Sequence, residues 1–541
     1  KKAMSTFVVL EVDREAQAVL IENTEDQYNF WVFQERNKSI VDDMKDQTLY
    51  VAEVPGKGRA VFVGMKGRER ESKEEREDEV PPGTTIWKAN GTAAIVMQNH
   101  LNRLCHQCFQ RSPKMYRCAD CESALYCSRN CLSAHASVHN QLCRALLEMK
   151  NMDKAIFQND VDSVRLALEL LQLRISPGDE WQNPLDSLEA HWEDVPVNER
   201  NNALRKAHAV HSTLWNYLPF PASEPLINIA KLFLTIRFNS HPVELHGLSG
   251  AVLGLFPSAA LLNHSCCPEV VMFAKASHGT VKLHIRTVKA ILPGQEIHCS
   301  YIDELCAPTV DRRSILQDSF LFTCNCKRCS QPDPEFPAEI LICKQCNTSL
   351  LSNTVCENKE CALKACNDHS EKSIVKQLKE RFLNHGNALD GSNADLNHLA
   401  LDILNRKVPG SCSLHLGHQL RHSSALLALS TAKVTNDMAQ MVLAAQALIE
   451  CWRFSVGHTN LPQVGALYFL IAKTCLDSMK NHAHLFHKDQ VSSTSVFDDA
   501  FDVCCEALSN ALGIFSTCYG YDHQQTERVK KLKDMFLFPP S

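Results

Sequence analysis

Between residues 105 and 143 the chain reads CHQCFQRSPKMYRCADCESALYCSRNCLSAHASVHNQLC, and no other stretch constrains the fold as tightly. Its donors Cys105, Cys108, Cys118, Cys121, Cys127, Cys131, His139 and Cys143 follow the spacing C-x2-C-x9-C-x2-C-x5-C-x3-C-x7-H-x3-C. Eight N/S donors fill two closed tetrahedra, the geometry structural zinc prefers. Two residues between paired cysteines let both thiolates turn toward one ion. Taking alternate pairs together puts Cys105, Cys108, Cys127 and Cys131 on one ion, and Cys118, Cys121, His139 and Cys143 on the other. That interleaving pins a segment too short to form its own core. His135 rivals His139 but comes one helical turn early. Closed sites leave no open coordination position, so these two ions are structural, not catalytic.

The remaining cysteines extend the argument. Of 25 in the 541-residue chain, none precedes Cys105, and most of those after the block fall in pairs and triplets between 266 and 366. A disulfide scaffold would be short and would spread its cysteines through the framework, so zinc ligands in a reducing compartment are the expectation, placing the protein in the nucleus or cytoplasm. The length exceeds what one core can serve and predicts three or four domains. An apolar fraction of 45% with 22% charged residues describes a globular protein, and a net charge of −6 gives no global pull toward nucleic acid or anionic membrane. No apolar run approaches the ~20 residues of a membrane span, and the charged start does not read as a secretory signal. Because the sequence begins at Lys1 rather than Met, an upstream N-terminus is expected.

Along the chain, residues 1–46 alternate as small strands do (Phe7-Val8-Val9-Leu10-Glu11-Val12) and form an extension without an assigned role. Two strand-like runs at 49–63 are joined by Pro55-Gly56-Lys57-Gly58, the mixed charges of 66–79 read as a solvated loop, and strand-like chain resumes at 80–96. Residues 162–174 are an amphipathic helix, and 175–246 read as mostly helical. Short strands and turns return at 247–303, cysteines at 324–366, and helices fill 370–535 with hairpin junctions at 452–465 and 513–529, the pattern of a short tetratricopeptide-like solenoid.

The cysteine block resembles the MYND finger, an interaction module that often grips proline-containing peptides. GLFPSAALLNHSCCPE (254–269), LPGQEIHCSYIDEL (292–305) and FLFTCNCKRC (320–329), with PGKGRAVF (55–62) ahead of the finger, resemble the SET methyltransferase core and its cysteine-rich post-SET tail. The order resembles the SET- and MYND-domain (SMYD-type) protein lysine methyltransferases over about 48–330, and more loosely in the helical C-terminal part. The resemblance implies an α+β fold of small SET-type sheets with a pseudoknot. Its segments would be an N-terminal extension (1–46), a first SET part (47–104), the MYND finger (105–143), a helical insert (144–246), the SET core (247–305), a post-SET segment (306–369) and a helical TPR-like domain (370–541).

The resemblance also implies S-adenosylmethionine as methyl donor and a lysine of a protein, histone or not, as acceptor. Gly56, Lys57 and Gly58 would wrap the methionine end of the donor, with Asn239, Asn263 and His264 as further contacts and Phe322 against the adenine. Tyr301 would be the catalytic residue, its hydroxyl orienting the lysine nitrogen. Phe320 stands where relatives often carry a Tyr lining the lysine channel, which leaves room for products beyond mono-methyl. The family would complete the triplet Cys324, Cys326, Cys329 with Cys266, making a third zinc; Cys267 is the adjacent competitor. Glu269 departs from the Asn common in relatives and sets a carboxylate near the pocket rim. A fourth zinc at Cys343, Cys346, Cys356 and Cys361 is one reading of C-x2-C-x9-C-x4-C, unliganded thiols the other. A monomer with a protein substrate and no membrane partner is expected. The alternative is an adaptor with a weak or inactive SET core, and Arg103, Arg111, Lys114, Arg117 and Arg129 keep nucleic-acid binding open as a third class.

Overall fold

The structure, a computed structural model, describes residues 79–151, 157, 160–173, 185, 188–218, 225–277, 279–292, 294–330, 380, 394–405, 412–486 and 494–537, together with isolated strands at 7–13, 18–23, 28–33, 341–343 and 349–350. The strands β1 (Phe7–Asp13), β2 (Ala18–Asn23) and β3 (Tyr28–Phe33) form an antiparallel sheet from the alternating N-terminal sequence. Gly56, Lys57, Gly58 and the charged stretch 66–78 lie outside the described residues, as does most of the cluster Cys343, Cys346, Cys356, Cys361. The chain divides into two compact units, 1–263 with 269–299 and 319–321, and 264–268 with 300–318 and 322–541. The class is α+β.

Two small antiparallel sheets frame the first unit. In one, β12 (Thr280–Thr287) lies between β11 (Val270–Ser277) and β4 (Thr85–Asn90). Val281, Leu283, Ile285 and Thr287 alternate inward along β12, the period-two pattern of a half-buried strand. In the other, β9 (Leu248–Leu255) pairs with β5 (Ala93–Val96) and β8 (Ser240–Leu245). Helices Val161–Leu173, Val197–Ala209 and Leu226–Asn239 contribute Leu166, Leu168, Ala203, Ala207, Ile229 and Phe233 to one core shared with Ile95 and Leu255. Truncating a leucine such as Leu168, fully buried there, to alanine would cost about 2–5 kcal/mol.

Within the stretch read as mostly helical (175–246), the last helix ends at Asn239. Ser240 is already extended, and Pro242 keeps His241 extended as well, so the chain continues as β8. The metal-binding block docks on this unit through backbone contacts. Gln110 Nε2 donates to the Ala276 carbonyl at 3.3 Å, and the His246 ring bonds the Phe109 carbonyl at 3.1 Å. At the β11–β12 turn Gly279 has φ +83°, and a Cβ there would meet the Gln107 side chain at 2.6 Å, so glycine serves both the turn and the close approach.

The second unit is largely helical among its described residues: Thr309–Phe320, Ala394–Leu404, Gln419–Thr435, Met438–Val456, Pro462–Phe486, Thr494–Tyr519 and Gln524–Leu537. Asn436, left-handed at φ 57°, ends one helix, and Asp437 caps the next by accepting from Gln440 N at 2.9 Å. Small residues at Ala425, Ala428, Ala444 and Ala447 let neighbouring helices approach closely. A Cβ on Gly465 would strike the Phe515 ring at 2.7 Å, which makes the next helix pair equally tight. No helix among the described residues is long and apolar enough to cross a membrane.

Candidate metal centres and active site

The finger is built on a short hairpin, β6 (Tyr116–Arg117) with β7 (Leu125–Tyr126), and the helix Arg129–Asn151. Ser128 starts the helix by accepting from Cys131 N at 3.2 Å. One turn separates His139 from Cys143, so both fall on one face, which their burial confirms as the inner one. The donor atoms of Cys105, Cys108, Cys127 and Cys131 lie within 4.8 Å of one another, and those of Cys118, Cys121, His139 and Cys143 do likewise. A tetrahedral zinc with Zn–S near 2.3 Å sets its sulfurs about 3.8 Å apart. The Sγ atoms of Cys108 and Cys127 are 3.5 Å apart, Cys127 and Cys131 3.5 Å, Cys118 and Cys143 3.7 Å, and Cys121 Sγ is 3.5 Å from His139 Nε2. The donor sets fit zinc. Burial holds the His139 pKa below the usual imidazole range, leaving the neutral ring a metal ligand requires. His135 points elsewhere: its Nδ1 meets the Tyr126 hydroxyl at 3.1 Å.

A third donor set lies in the second unit, where Cys266, Cys324, Cys326 and Cys329 bring their sulfurs within 4.8 Å. Cys266 and Cys329 are 3.6 Å apart although 63 positions separate them in sequence. This set fits zinc by the same measure, and Cys267 stands outside it. Hydrogen bonds from the sulfurs of Cys266, Cys324 and Cys329 hold the Cys326 thiol far below its usual range, while its hydrogen bond with Cys324 is the largest of those pushing Cys266 far up. Bound to zinc, all four sulfurs would be thiolates, and three of the four residues, Cys266, Cys324 and Cys329, are buried. Arg312, 1% exposed on the helix Thr309–Phe320, meets two of these sulfurs: Nε donates to Cys266 Sγ at 3.2 Å and Nη2 to Cys329 Sγ at 3.3 Å. Nη2 also donates to Thr309 Oγ1 at 3.1 Å, and Nη1 to the Ala307 carbonyl. Burial alone would lower the Arg312 pKa, but its interactions with the Cys266 and Cys329 sulfurs together outweigh it and the guanidinium stays charged. The sequence reading missed Arg312, and nothing in the spacing of Asp311-Arg312-Arg313 distinguishes it.

His264 joins this cluster to Tyr301. The Tyr301 backbone N–H donates to His264 Nδ1 at 3.0 Å. An amide nitrogen can only donate, so Nδ1 is the acceptor and the ring proton sits on Nε2, which faces Cys266 Sγ at 3.3 Å. Ser300 fixes the turn by donating to the Ile302 carbonyl at 2.7 Å. The rings of His264, Tyr301 and Phe322 then form a triangle, with centroids 5.5 Å apart for His264–Tyr301, 6.1 Å for His264–Phe322 and 6.2 Å for Tyr301–Phe322, the last pair edge-on at 85°. Tyr301 and Phe322 are half-buried.

Asn239, Asn263 and Phe320 lie in the first unit. The Asn239 amide donates to the carbonyls of Thr235 (2.8 Å) and Glu189 (2.9 Å), which caps the end of its helix and uses both amide hydrogens. Asn263 donates to Glu296 Oε1 at 2.6 Å. Glu269 does not stand free: its Oε2 accepts from the His298 backbone at 3.1 Å and from His298 Nδ1 at 3.0 Å. Phe320 ends the helix that carries Arg312, followed by Leu321 at φ 61°, a left-handed residue of the kind that costs about 1–3 kcal/mol without glycine.

Residues 105–143 match the MYND finger family, so the finger is a MYND module. Beyond the finger, the chain is similar to SET- and MYND-domain lysine methyltransferases. It is 34% identical over 283 residues to the N-lysine methyltransferase SMYD2-B of Danio rerio, covering 51% of this chain and 58% of that protein. The N-lysine methyltransferase SMYD2 of Sus scrofa is 30% identical over 260 residues, covering 47% and 56%, and that of Homo sapiens 29% over the same length and shares. The matches span just over half the length of these relatives. Among solved structures, the SET domain of LSMT bound to MeLysine and AdoHcy is a remote likeness, with a TM-score of 0.27 and 10% identity over 93% of this chain and 92% of that one.

Proposed function

We propose that the protein transfers methyl groups from S-adenosylmethionine to lysine side chains of a protein substrate. One observation carries this reading: a buried four-cysteine cluster, His264 and the Tyr301 backbone form a continuous chain of hydrogen bonds that holds Tyr301 in an aromatic triangle with Phe322. The donor, when bound, supplies a methyl group on a positively charged sulfonium. Methyl transfer to an amine is a single displacement, so the protein's task is alignment and exclusion of water. Tyr301 orients the lysine nitrogen through its hydroxyl, and its backbone cannot drift while His264 accepts from it. When the donor is bound, Phe322 would pack on its adenine, and His264 and Asn263 would contact it. The lysine, with a free pKa of about 10.4, loses its proton because aromatic walls and a nearby cation both disfavour the ammonium form, so no dedicated base is required.

The resemblance gives further roles to Gly56, Lys57, Gly58 and Asn239 in donor binding and to Phe320 in the lysine channel. It also supports the division into an N-terminal extension (1–46), split SET parts (47–104, 247–305), the finger, a helical insert (144–246), a post-SET segment (306–369) and a TPR-like C-terminal domain (370–541). Thiolate-held zinc suits the nucleus or cytoplasm. A proline-containing peptide fits the family's use of the finger, and a monomer is the proposed state.

The test is direct. Incubated with radiolabelled S-adenosylmethionine and a protein extract, the purified chain should label lysines, and Tyr301→Phe should abolish labelling while S-adenosylhomocysteine still binds. Binding without transfer to any substrate would favour the adaptor instead. Mass spectrometry of exhaustively labelled product should find species beyond mono-methyl-lysine; mono-methyl alone would remove the role given to Phe320.

A further inference from the structure

Four side chains of the first unit form one line of hydrogen bonds and ion pairs, of which the proposed chemistry uses only Asn263. Asn263 Nδ2 donates to Glu296 Oε1 at 2.6 Å, Glu296 Oε2 lies 3.5 Å from His298 Nε2, and His298 Nδ1 lies 3.0 Å from Glu269 Oε2. Lys289 Nζ stands 3.9 Å from Glu269 Oε1. Backbone bonds fix the far end: Glu269 N donates to the His298 carbonyl at 3.1 Å, His298 N donates to Glu269 Oε2 at 3.1 Å, and Val288 N donates to the Glu269 carbonyl at 2.8 Å. Burial would lower the His298 pKa, but its hydrogen bonds to Glu269 and then Glu296 outweigh that and lift it to about 9, so both ring nitrogens donate at neutral pH. A cation between two carboxylates suits each of them.

We infer that Glu296, held by His298 and Glu269, is a positioning residue that sets the orientation of the Asn263 amide for the amino-acid end of the methyl donor. The inference rests on the proposed methyl-transfer reading. Its physical basis is the donor–acceptor asymmetry of the partners. A carboxylate only accepts, so Glu296 takes the NH2 side of Asn263 and turns the amide oxygen outward. An outward oxygen accepts from a cationic amine such as the methionine ammonium of the donor; an outward NH2 would repel it. Glu296 does this while accepting on both sides, Oε1 from Asn263 and Oε2 from His298, which an amide side chain cannot do. Glu269 is then no stray charge. It neutralises His298 and thereby stiffens the line, which gives a structural reason for a carboxylate at a position where relatives commonly carry an amide.

The experiment compares two ligands by calorimetry on the full chain: S-adenosylhomocysteine, which has the amino-acid end, and 5′-methylthioadenosine, which lacks it. Glu296→Ala should weaken S-adenosylhomocysteine about 10- to 100-fold, the effect typical of removing an orienting partner, and leave methylthioadenosine within about twofold. Glu296→Gln keeps one acceptor and should fall between Glu296→Ala and wild type for the first ligand only; it also serves if Glu296→Ala fails to fold. Equal weakening of both ligands would mean a structural role and overturn the inference, as would no weakening of either. If the wild type binds neither ligand, the donor site itself is wrong and the inference goes with it, an outcome distinguishable because it needs no variant.

Discussion

Two cysteine-rich regions of this chain use the same ligand chemistry in opposite ways. The finger draws all its donors from residues 105–143 and interleaves two sites, so each ion staples chain to nearby chain. The other cluster takes Cys266 from a loop and three thiols from beyond residue 320, and so ties together chain 63 positions apart. The first arrangement makes a rigid platform that needs little else. The second connects its ligands to His264 and Tyr301, because Cys266 faces His264, which accepts from the Tyr301 backbone.

The charge balance differs too. A zinc with three thiolates and a histidine carries one net negative charge, and one with four thiolates carries two. The distant four-thiol site, with Cys266, Cys324 and Cys329 all buried, has Arg312 donating to two of its sulfurs. The four-thiol site of the finger leaves Cys108, Cys127 and Cys131 partly exposed, where water shares the load.

The comparison is broken most easily at the ligands. Cys324→Ser should remove one zinc and weaken S-adenosylhomocysteine by about 100-fold or more, since metal binding there is also site assembly; Cys118→Ser should also cost a zinc yet leave that affinity within about threefold. Zinc content by mass spectrometry with calorimetric titration reads both, and equal losses would erase the distinction. Next in size is Arg312→Met, which strands buried thiolates and should lower stability by about 3–5 kcal/mol in denaturant melts. Arg312→Lys should restore only part, because an ammonium cannot reproduce the fork that reaches two sulfurs, Thr309 and the Ala307 carbonyl. Smallest is His135→Leu in the finger, which removes one hydrogen bond to Tyr126, costs about 1 kcal/mol and should leave the zinc count unchanged. His139→Leu at the same helix should lose an ion.

What was legible in the sequence follows the same division. The spacing grouped the finger's donors without help, because two-residue and one-turn intervals are local geometry. Cys266 could be joined to Cys324, Cys326 and Cys329 only through a family resemblance, since no local rule spans that separation. Arg312, Glu296 and His298 left no trace, because their partners are set by tertiary packing and each residue type is ordinary on a surface. Nor did the sequence show that the Asn239 amide donates to the carbonyls of Thr235, in its own helix, and of Glu189, outside it.

The measurement closest to the central claim is a crystal structure of the full chain grown with S-adenosylhomocysteine. The account predicts ligand density against His264, Tyr301 and Phe322, with the thioether facing the Tyr301 hydroxyl and a metal on Cys266. Density seated elsewhere, or a Tyr301 side chain turned away from the ligand, would contradict it.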